Sequence, residues 1–179
     1  KGADKGAIMK MQKRLYDRDS DLLCATVTQT LFLRGDGGQG GFGDIGPGLT
    51  AIPDGDPDDV LDIPTLPQIA LIYRLSGDLN PIHASPSVAR KAGFDRPILH
   101  GLCTMGLAAR AIISRLCDGD PARLKAMEVR FSKPVFPGET IRVEFFLKGD
   151  VVRFRCRSVE RDLVVLDRGS ATIGGVAKN

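Results

Sequence analysis

The sequence predicts an α+β domain in which one long apolar helix lies against an antiparallel sheet. The helix is expected from Gly101 to Cys117, where apolar residues predominate and only Arg110 and Arg115 carry charge. Four strand-like runs follow it, and the third alternates between apolar and arginine side chains over residues 152–157. These runs are Lys125–Ser132, Thr140–Leu147, Val151–Val159 and Leu163–Ile173.

The residues of the long helix refine this prediction. Small residues are expected to let the helix approach the sheet closely, and larger apolar residues are expected to bury there. The small ones are Gly101, Gly106, Ala108 and Ala109, and the larger ones are Leu102, Met105, Ile112, Ile113 and Leu116. Ahead of this helix, Ser85-Pro86 and Gly93 are typical of the start and end of a shorter helix.

Composition divides the chain into three zones. Residues 1–34 predict a β-hairpin, and residues 35–66 predict a linker because glycine and proline recur there. Residues 67–179 predict the compact domain, in which Lys148-Gly149-Asp150 forms the turn of a second hairpin.

The N-terminal hairpin is predicted in detail. Its strands are expected at Ala7–Tyr16 and Leu22–Leu33, with a polar turn at Asp17–Asp21 between them. Because an isolated two-stranded hairpin is at best marginally stable, this one must pack on a further element.

Charge and hydropathy narrow the classes of partner. A formal net charge of +3 is too small to indicate nucleic-acid binding. No apolar run without charges is long enough to span a bilayer, so no membrane partner is expected. The chain begins at Lys1 without a signal-peptide pattern, and the C-terminal Ala177-Lys178-Asn179 is not a peroxisomal address. We therefore expect a cytoplasmic or peroxisomal protein.

Cysteine and histidine usage argues against a bound metal. The four cysteines are widely spaced without a CxxC pair, and we expect all four to be reduced thiols in the core. They are Cys24, Cys103, Cys117 and Cys156. With only two histidines and no Cys/His cluster, the sequence predicts no zinc site.

The segment Tyr73–His83 is the strongest candidate for a functional site. It places Asp78, Asn80 and His83 within six residues, while Gly77 and Pro81 interrupt any helix. Three polar groups on one shaped turn can converge, and a carboxylate beside an imidazole is suited to general acid–base chemistry. Singly, Asp78 fits a turn residue and His83 fits a core histidine; together the three favour function.

A second candidate is His100-Gly101, where the long helix begins. The Gly101 N–H is expected among the unpaired amides of the helix N-terminus, where it can polarise an incoming carbonyl. An equally strong interpretation is that Gly101 serves close packing alone.

Basic residues form a third group. Arg130 and Lys133 flank one strand end, and Arg153, Arg155 and Arg157 form a row on another strand. Such a row is usually a solvated face, and contact with a phosphate is the less favoured alternative.

The residues from Tyr73 to Gly106, YRLSGDLNPIHASPSVARKAGFDRPILHGLCTMG, resemble the hydratase motif of MaoC-like, type-2 (R-specific) enoyl-CoA hydratases. RFSKPVFPGET, Arg130 to Thr140, is similar to the strand and turn that follow in that family. The resemblance extends from about Pro67 to Ile173 and is strongest to the hydratase-2 module of peroxisomal multifunctional β-oxidation enzymes.

This resemblance implies the hot-dog fold, a long helix wrapped by an antiparallel sheet. It further implies that residues 67–179 are the catalytic C-terminal repeat of a double hot-dog. Residues 1–34 would be the last strands of an incomplete N-terminal repeat, and residues 35–66 the connection.

The resemblance also implies a reaction, the reversible hydration of trans-2-enoyl-CoA to (3R)-3-hydroxyacyl-CoA. Asp78 and His83 would activate water, Asn80 would orient them, and the Gly101 N–H would polarise the thioester carbonyl. Four residues in the two similar segments are the expected substrate-binding set: His100, Arg130, Phe131 and Lys133. No cofactor is expected, because CoA arrives with the substrate, and a homodimer is expected because hot-dog domains generally pair.

Two alternatives remain at this point. One is an acyl-CoA thioesterase on the same fold, which often relies on a lone carboxylate. The other is a non-catalytic acyl-CoA-binding module. The combination of Asp78, Asn80 and His83 favours the hydratase over both.

Overall fold

The computed structural model describes residues 5–147 and 151–174 of the chain. The chain forms two compact units, which meet in sequence between Gly48 and Leu49. The predicted turn at Lys148-Gly149-Asp150 lies outside the described residues. In the part of the chain that is described, no helix has both the length and the apolar character needed to cross a membrane.

The first unit contains the predicted β-hairpin. Strand β1 (Ala7–Tyr16) pairs antiparallel with β2 (Leu23–Leu33). The turn between them is built on Asp17, whose carboxylate accepts hydrogen bonds from the Ser20 backbone N–H at 2.9 Å and the Ser20 hydroxyl at 2.7 Å. This is the Asx-type turn that a polar run between two strands predicts.

The second unit contains a five-stranded antiparallel sheet. Its strands lie in the order β3-β5-β6-β7-β4, with every neighbouring pair antiparallel. They are β3 (Asp59–Pro64), β4 (Leu124–Phe131), β5 (Thr140–Phe146), β6 (Val152–Ser158) and β7 (Leu163–Ile173). The last four confirm the predicted strands to within one residue at each end.

Strand β3 was not predicted, because it lies inside the segment 35–66 that composition marks as a linker. It is an edge strand and pairs only with β5, so it tolerates Asp59, Asp62 and a terminal proline that argue against a central strand. Its Ile63 is buried in the core, while Asp62 turns outward to Arg142 of β5. The sheet-bearing unit therefore begins upstream of residue 67.

Three α-helices lie between β3 and β4. They are α1 (Ile69–Tyr73), α2 (Pro86–Lys91) and α3 (Gly101–Leu116). Gly93 has a φ of 88° and, with Phe94, donates hydrogen bonds back to the last turn of α2, which is the predicted glycine ending. Ser85 occupies the N-cap position, although its hydroxyl contacts the Ser87 hydroxyl at 3.0 Å rather than a backbone N–H.

Helix α3 packs on the sheet through its smallest side chains. Ala108 and Ala111 are fully buried beside Ile112 and belong to one apolar core with phenyl rings and branched side chains of the sheet. A long helix against an antiparallel sheet is the expected hot-dog arrangement. The prediction for Leu102 is wrong, since its side chain is 63% exposed, and Gly106 is exposed as well. Both lie off the stripe that the 100° helical step aligns with Ala108 and Ala111.

The alternation of β6 is confirmed. Phe154 and Cys156 are buried, whereas the arginines between them face the other side of the sheet. That side is not simply solvated, because Arg155 and Arg157 both form ion pairs with the buried Glu144 of β5. Two of the three arginines in the row are therefore already paired with the Glu144 carboxylate.

The cysteines divide between core and surface. Cys103, Cys117 and Cys156 are buried free thiols, as predicted. Cys24 is also a free thiol but lies exposed on β2, so its expected place in the core is wrong. Cys24 lies on the same face of β2 as Thr26, Thr28 and Thr30, so the alternation of this strand places it on the more polar side.

Two glycine substitutions test the packing of the sheet and of α3. A Cβ at Gly169 of β7 would lie 2.4 Å from the Phe154 carbonyl oxygen, so Gly169→Ala should lower the free energy of unfolding by about 2 kcal/mol or more.

Gly106 has open space around it in mid-helix, so Gly106→Ala should raise that free energy by roughly 0.5–1 kcal/mol. Urea unfolding measures both; a Gly169→Ala protein as stable as the wild type would contradict the packing described.

Candidate active site

The Tyr73–His83 segment is a shaped turn that interrupts the helical region. Helix α1 ends at Tyr73 and continues as one 3₁₀ turn, Arg74–Ser76, which stops at Gly77 with a φ of 111°. A second 3₁₀ turn, Pro81–His83, begins after Asn80. The left-handed glycine ends the helical path, so Asp78 lies in the short connection between the two 3₁₀ turns and His83 is the last residue of the second.

Asn80 connects the two polar groups of this turn. Its side-chain oxygen accepts a hydrogen bond from the Ile82 N–H at 3.1 Å, which caps the 3₁₀ turn that carries His83. Its own backbone N–H donates to the Asp78 carboxylate at 3.2 Å. Asn80 therefore holds both the carboxylate and the start of the turn that bears the imidazole.

His83 is held in one tautomer by a backbone carbonyl. Its side chain is 8% exposed, and Nδ1 lies 2.8 Å from the Ile98 carbonyl oxygen. Because a carbonyl can only accept a hydrogen bond, Nδ1 carries the hydrogen and Nε2 keeps a free lone pair. That lone pair is the group that can take a proton from water.

His100 lies directly against His83. The two rings stack with centroids 3.6 Å apart and planes 25° apart, and Tyr73 contacts the His100 ring with a centroid distance of 4.8 Å. His100 Nε2 lies 3.1 Å from the backbone carbonyl oxygen of Asp78 and donates to it. Burial lowers the pKa of the His100 imidazole below its ordinary value, although this hydrogen bond opposes the shift.

The carboxylate and the two rings form one compact cluster. One carboxylate oxygen of Asp78 and one nitrogen each of His83 and His100 all lie within 4.8 Å of one another. The sequence had not predicted that its two histidines meet. The cluster does not suit a metal bound by both rings, because nearly parallel stacked imidazoles point their in-plane lone pairs side by side rather than at one centre. A single water can bridge groups at this separation.

Gly101 is the first residue of α3, and its N–H has no acceptor among the residues that are described. Gly101 also serves close packing, since an added Cβ would lie 3.0 Å from two carbons of the Phe131 ring. Both interpretations of this glycine thus have a structural basis.

An open cavity of about 270 Å³ adjoins Gly101. Its lining is mostly apolar. Lys133 is the charged residue in the lining, and Thr104 of α3 contributes a buried polar side chain. The other lining residues are Phe94, Ile98, Leu99, Phe131, Ser132, Pro134, Val135, Val165 and Leu166. A cavity of this composition suits an apolar group better than a highly charged one.

A buried ion pair fixes the loop that forms one wall of this cavity. Glu139 is buried and pairs with Arg161, whose Nη2 lies 2.8 Å from Oε2 of Glu139 and 2.6 Å from the Pro134 carbonyl oxygen. Glu139 also accepts a hydrogen bond from the Phe136 N–H at 3.0 Å. The sequence analysis missed this pair, because its partners lie on separate turns that only the folded sheet brings together.

Comparison with known proteins places the chain in a family. The family described as MaoC like domain matches residues 49–168, most of the sheet-bearing unit. The chain belongs to the MaoC-like domain family.

Relatives of this MaoC-like chain carry names that agree with the family. It is 49% identical over 142 residues to 3-hydroxyacyl-thioester dehydratase Y of Mycobacterium tuberculosis, covering 79% of this chain and 49% of that protein. It is 43% identical over 185 residues to the peroxisomal enoyl-CoA hydratase 2 of Arabidopsis thaliana, covering 98% of this chain and 59% of the relative. The chain thus spans about half the length of these relatives.

Solved structures support the fold. A MaoC-like dehydratase from Phytophthora capsici superposes with a TM-score of 0.91 at 39% identity, covering 99% of this chain and 62% of that one. The full-length peroxisomal multifunctional enzyme type 2 from Drosophila melanogaster gives a TM-score of 0.86 at 37% identity, covering 97% of this chain and 31% of that one.

The structure brings most of the residues that the sequence singled out in this MaoC-like domain into two groups. Asp78, Asn80 and His83 lie in the Tyr73–His83 segment, while Gly101, Phe131 and Lys133 line the cavity, whose lining includes none of the first three. Arg130 is exposed on β4 and does not line the cavity. The role of His100 in binding substrate stays a prediction; its ring is 2% exposed, does not line the cavity and donates its Nε2–H to the Asp78 carbonyl.

The cavity wall gives a stability prediction. Arg161→Met leaves the Glu139 carboxylate buried without its cation, so the free energy of unfolding should fall by about 3 kcal/mol. The matched control is Arg142→Met, which removes an exposed pair with Asp62 and should cost at most about 1 kcal/mol. Urea unfolding compares the two variants; equal losses would show that the Glu139 pair is not the constraint described.

Proposed function

We propose that this chain carries a hydratase that adds water reversibly to a trans-2-enoyl-CoA and forms the (3R)-3-hydroxyacyl-CoA. The observation that carries the proposal is the pairing of His83 and Asp78. His83 has a free Nε2 lone pair, the Asp78 carboxylate lies on the adjoining turn, and the unpaired Gly101 N–H lies at the start of α3. The names of the relatives, hydratases and dehydratases of acyl thioesters, support the same reaction class.

The proposed steps follow from where charge develops during conjugate addition. His83 Nε2 takes a proton from water while the water oxygen bonds to C3 of the enoyl thioester. The electron pair of the C2–C3 double bond moves toward the carbonyl, and negative charge collects on the thioester oxygen. The Gly101 N–H and the positive end of α3 stabilise that charge. The Asp78–His83 pair then gives up to C2 the one proton that it accepted from the water, which completes the addition and restores the pair, and no CoA leaves.

The substrate is proposed from the cavity. Its apolar lining next to Gly101 suits an acyl chain or the apolar part of the thioester arm, and Lys133 at its edge suits a CoA phosphate. Arg130, exposed near the end of β4, is proposed as a weaker contact to a CoA phosphate. Phe131 is proposed to contact the substrate between Arg130 and Lys133. CoA enters with the substrate, so no separate cofactor is proposed.

We further propose that the chain works as a homodimer in the cytoplasm or the peroxisome. Five large apolar side chains around α1, the turn and the first residues of α3 are more than half exposed, which is unusual for a free surface. They are Leu71, Ile72, Leu75, Leu79 and Leu102. The peroxisomal relatives support the second compartment.

The hairpin β1–β2 is proposed to be the closing part of a first hot-dog repeat. The Phytophthora structure supports this, because its likeness includes the hairpin as well as the sheet-bearing unit. Val27 and Phe32 on the hairpin are exposed apolar residues, as expected for an element that packs within a larger repeat.

Substitution of the acid–base pair tests the reaction. Asp78→Asn and His83→Ala should each lower kcat for crotonyl-CoA hydration by roughly 10²-fold or more, because each removes a group that carries a proton. Loss of the absorbance of the conjugated thioester measures the rate, and a free-thiol assay measures CoA release. Asp54→Asn, an exposed carboxylate before β3, is the control and should keep full activity.

Three results would count against this assignment. Full activity in Asp78→Asn or His83→Ala would refute the site. Release of thiol without loss of the double bond would indicate a thioesterase. Binding of acyl-CoA without turnover by the wild type would indicate a binding module.

Sedimentation velocity tests the dimer. Ile72→Glu places a charge on the exposed face of α1 and should shift the protein to a monomer, because a buried unpaired carboxylate is strongly unfavourable in an interface. Phe42→Glu, on a fully exposed ring in the segment between β2 and β3, is the matched control and should leave the sedimentation coefficient unchanged. A monomeric wild type at micromolar concentration would contradict the proposal.

A further inference from the structure

His100 contacts both members of the acid–base pair, and its ring is almost fully buried. Its ring stacks on His83, and its Nε2–H donates to the backbone carbonyl of Asp78. Asp78 itself follows the left-handed Gly77 on an exposed turn, where its carboxylate receives only the Asn80 N–H among the described residues. The His100 hydrogen bond therefore ties the exposed Asp78 backbone to the start of α3.

The surroundings of His100 favour the neutral form of its imidazole over the imidazolium. Its Nδ1 is buried and has no hydrogen-bond partner in the described part of the chain, so the second N–H of an imidazolium would be left unsatisfied there. Burial lowers its pKa, and the nearby positive charge of Arg74 acts in the same direction. The titratable and charged groups that face it are Tyr73 of α1, Arg74, Asp78 and His83 of the turns, and Cys103 of α3.

A neutral ring at this place has a consequence for His83. When His83 Nε2 accepts a proton, positive charge develops 3.6 Å from the centre of the His100 ring. A second imidazolium there would repel that charge, whereas the face of a neutral aromatic ring attracts it.

We propose that His100 is a positioning residue that acts on both halves of the acid–base pair: as a neutral imidazole it anchors the Asp78 backbone to the start of α3 and stacks on His83. This rests on the proposed hydration reaction for its kinetic consequence. Its structural part, opposite tautomers on two stacked rings, does not depend on any activity. His83 carries its hydrogen on Nδ1 and His100 carries it on Nε2.

The structural part is tested by nitrogen NMR of the full chain, which contains only these two histidines. Long-range ¹H–¹⁵N spectra at neutral pH should show one Nδ1–H and one Nε2–H tautomer, assigned by the signal that disappears in His100→Gln. On lowering the pH through about 6.5, where a free imidazole takes up its proton, the His100 signals should remain those of the neutral ring. Two rings of the same tautomer, or a His100 that titrates like a free imidazole, would overturn the proposal.

The kinetic part uses two variants that each keep one contact. His100→Gln retains an N–H that can reach the Asp78 carbonyl but loses the ring, whereas His100→Phe retains a ring but loses the donor. His100→Phe should lower kcat for enoyl-CoA hydration about tenfold with KM changed by less than about threefold, the effect of one lost hydrogen bond. His100→Gln should recover at least part of that loss.

The results distinguish a failure of the proposed role of His100 from a failure of the proposed reaction. A His100→Phe protein with wild-type kcat would overturn the anchoring role. Equal losses of kcat in both variants, matched by equal losses of thermal stability, would reduce His100 to a packing residue and also overturn it. If the wild type hydrates no enoyl-CoA while the two tautomers are observed, the proposed function fails and the arrangement of His100 stands.

Discussion

The short segment Ile98–His100, directly before α3, is the constraint on which the site depends. Its three residues form hydrogen bonds to two other parts of the domain. The Ile98 carbonyl accepts from His83 at 2.8 Å, the Leu99 N–H donates to the Val135 carbonyl at 2.7 Å, and His100 donates to the Asp78 carbonyl at 3.1 Å. Three consecutive residues thus join the Tyr73–His83 segment, the cavity wall and the start of α3.

This segment is itself placed by the packing of α3. Because Ala108 and Ala111 bring the helix axis close to the sheet, its first residue, Gly101, comes within van der Waals distance of the Phe131 ring at the end of β4. The cavity opens beside that contact, and the Glu139–Arg161 pair holds its far wall. A hydrophobic contact in the core therefore sets the position of a polar site at the surface.

Much of the fold was predictable because its signals are local. The hairpin around Asp17, the glycine ending of α2 at Gly93, and the four strands after α3 depend on alternation and on turn residues, and the structure has them close to the predicted bounds. Strand β3 was missed because an edge strand has one pairing partner and few constraints on composition. Leu102 was misplaced because a helix rich in small apolar residues leaves the direction of its buried face undetermined by sequence.

The sequence alone determined that Asp78, Asn80 and His83 lie close together, because they are neighbours in the chain, whereas only the fold brings His100 to them. Only the tertiary structure decided their states. The tautomer of His83 depends on Ile98, and the burial and orientation of His100 depend on Tyr73 and Asp78. The physical reason is that protonation follows from hydrogen-bond partners and desolvation, and here both come from residues that are distant in sequence until the chain folds.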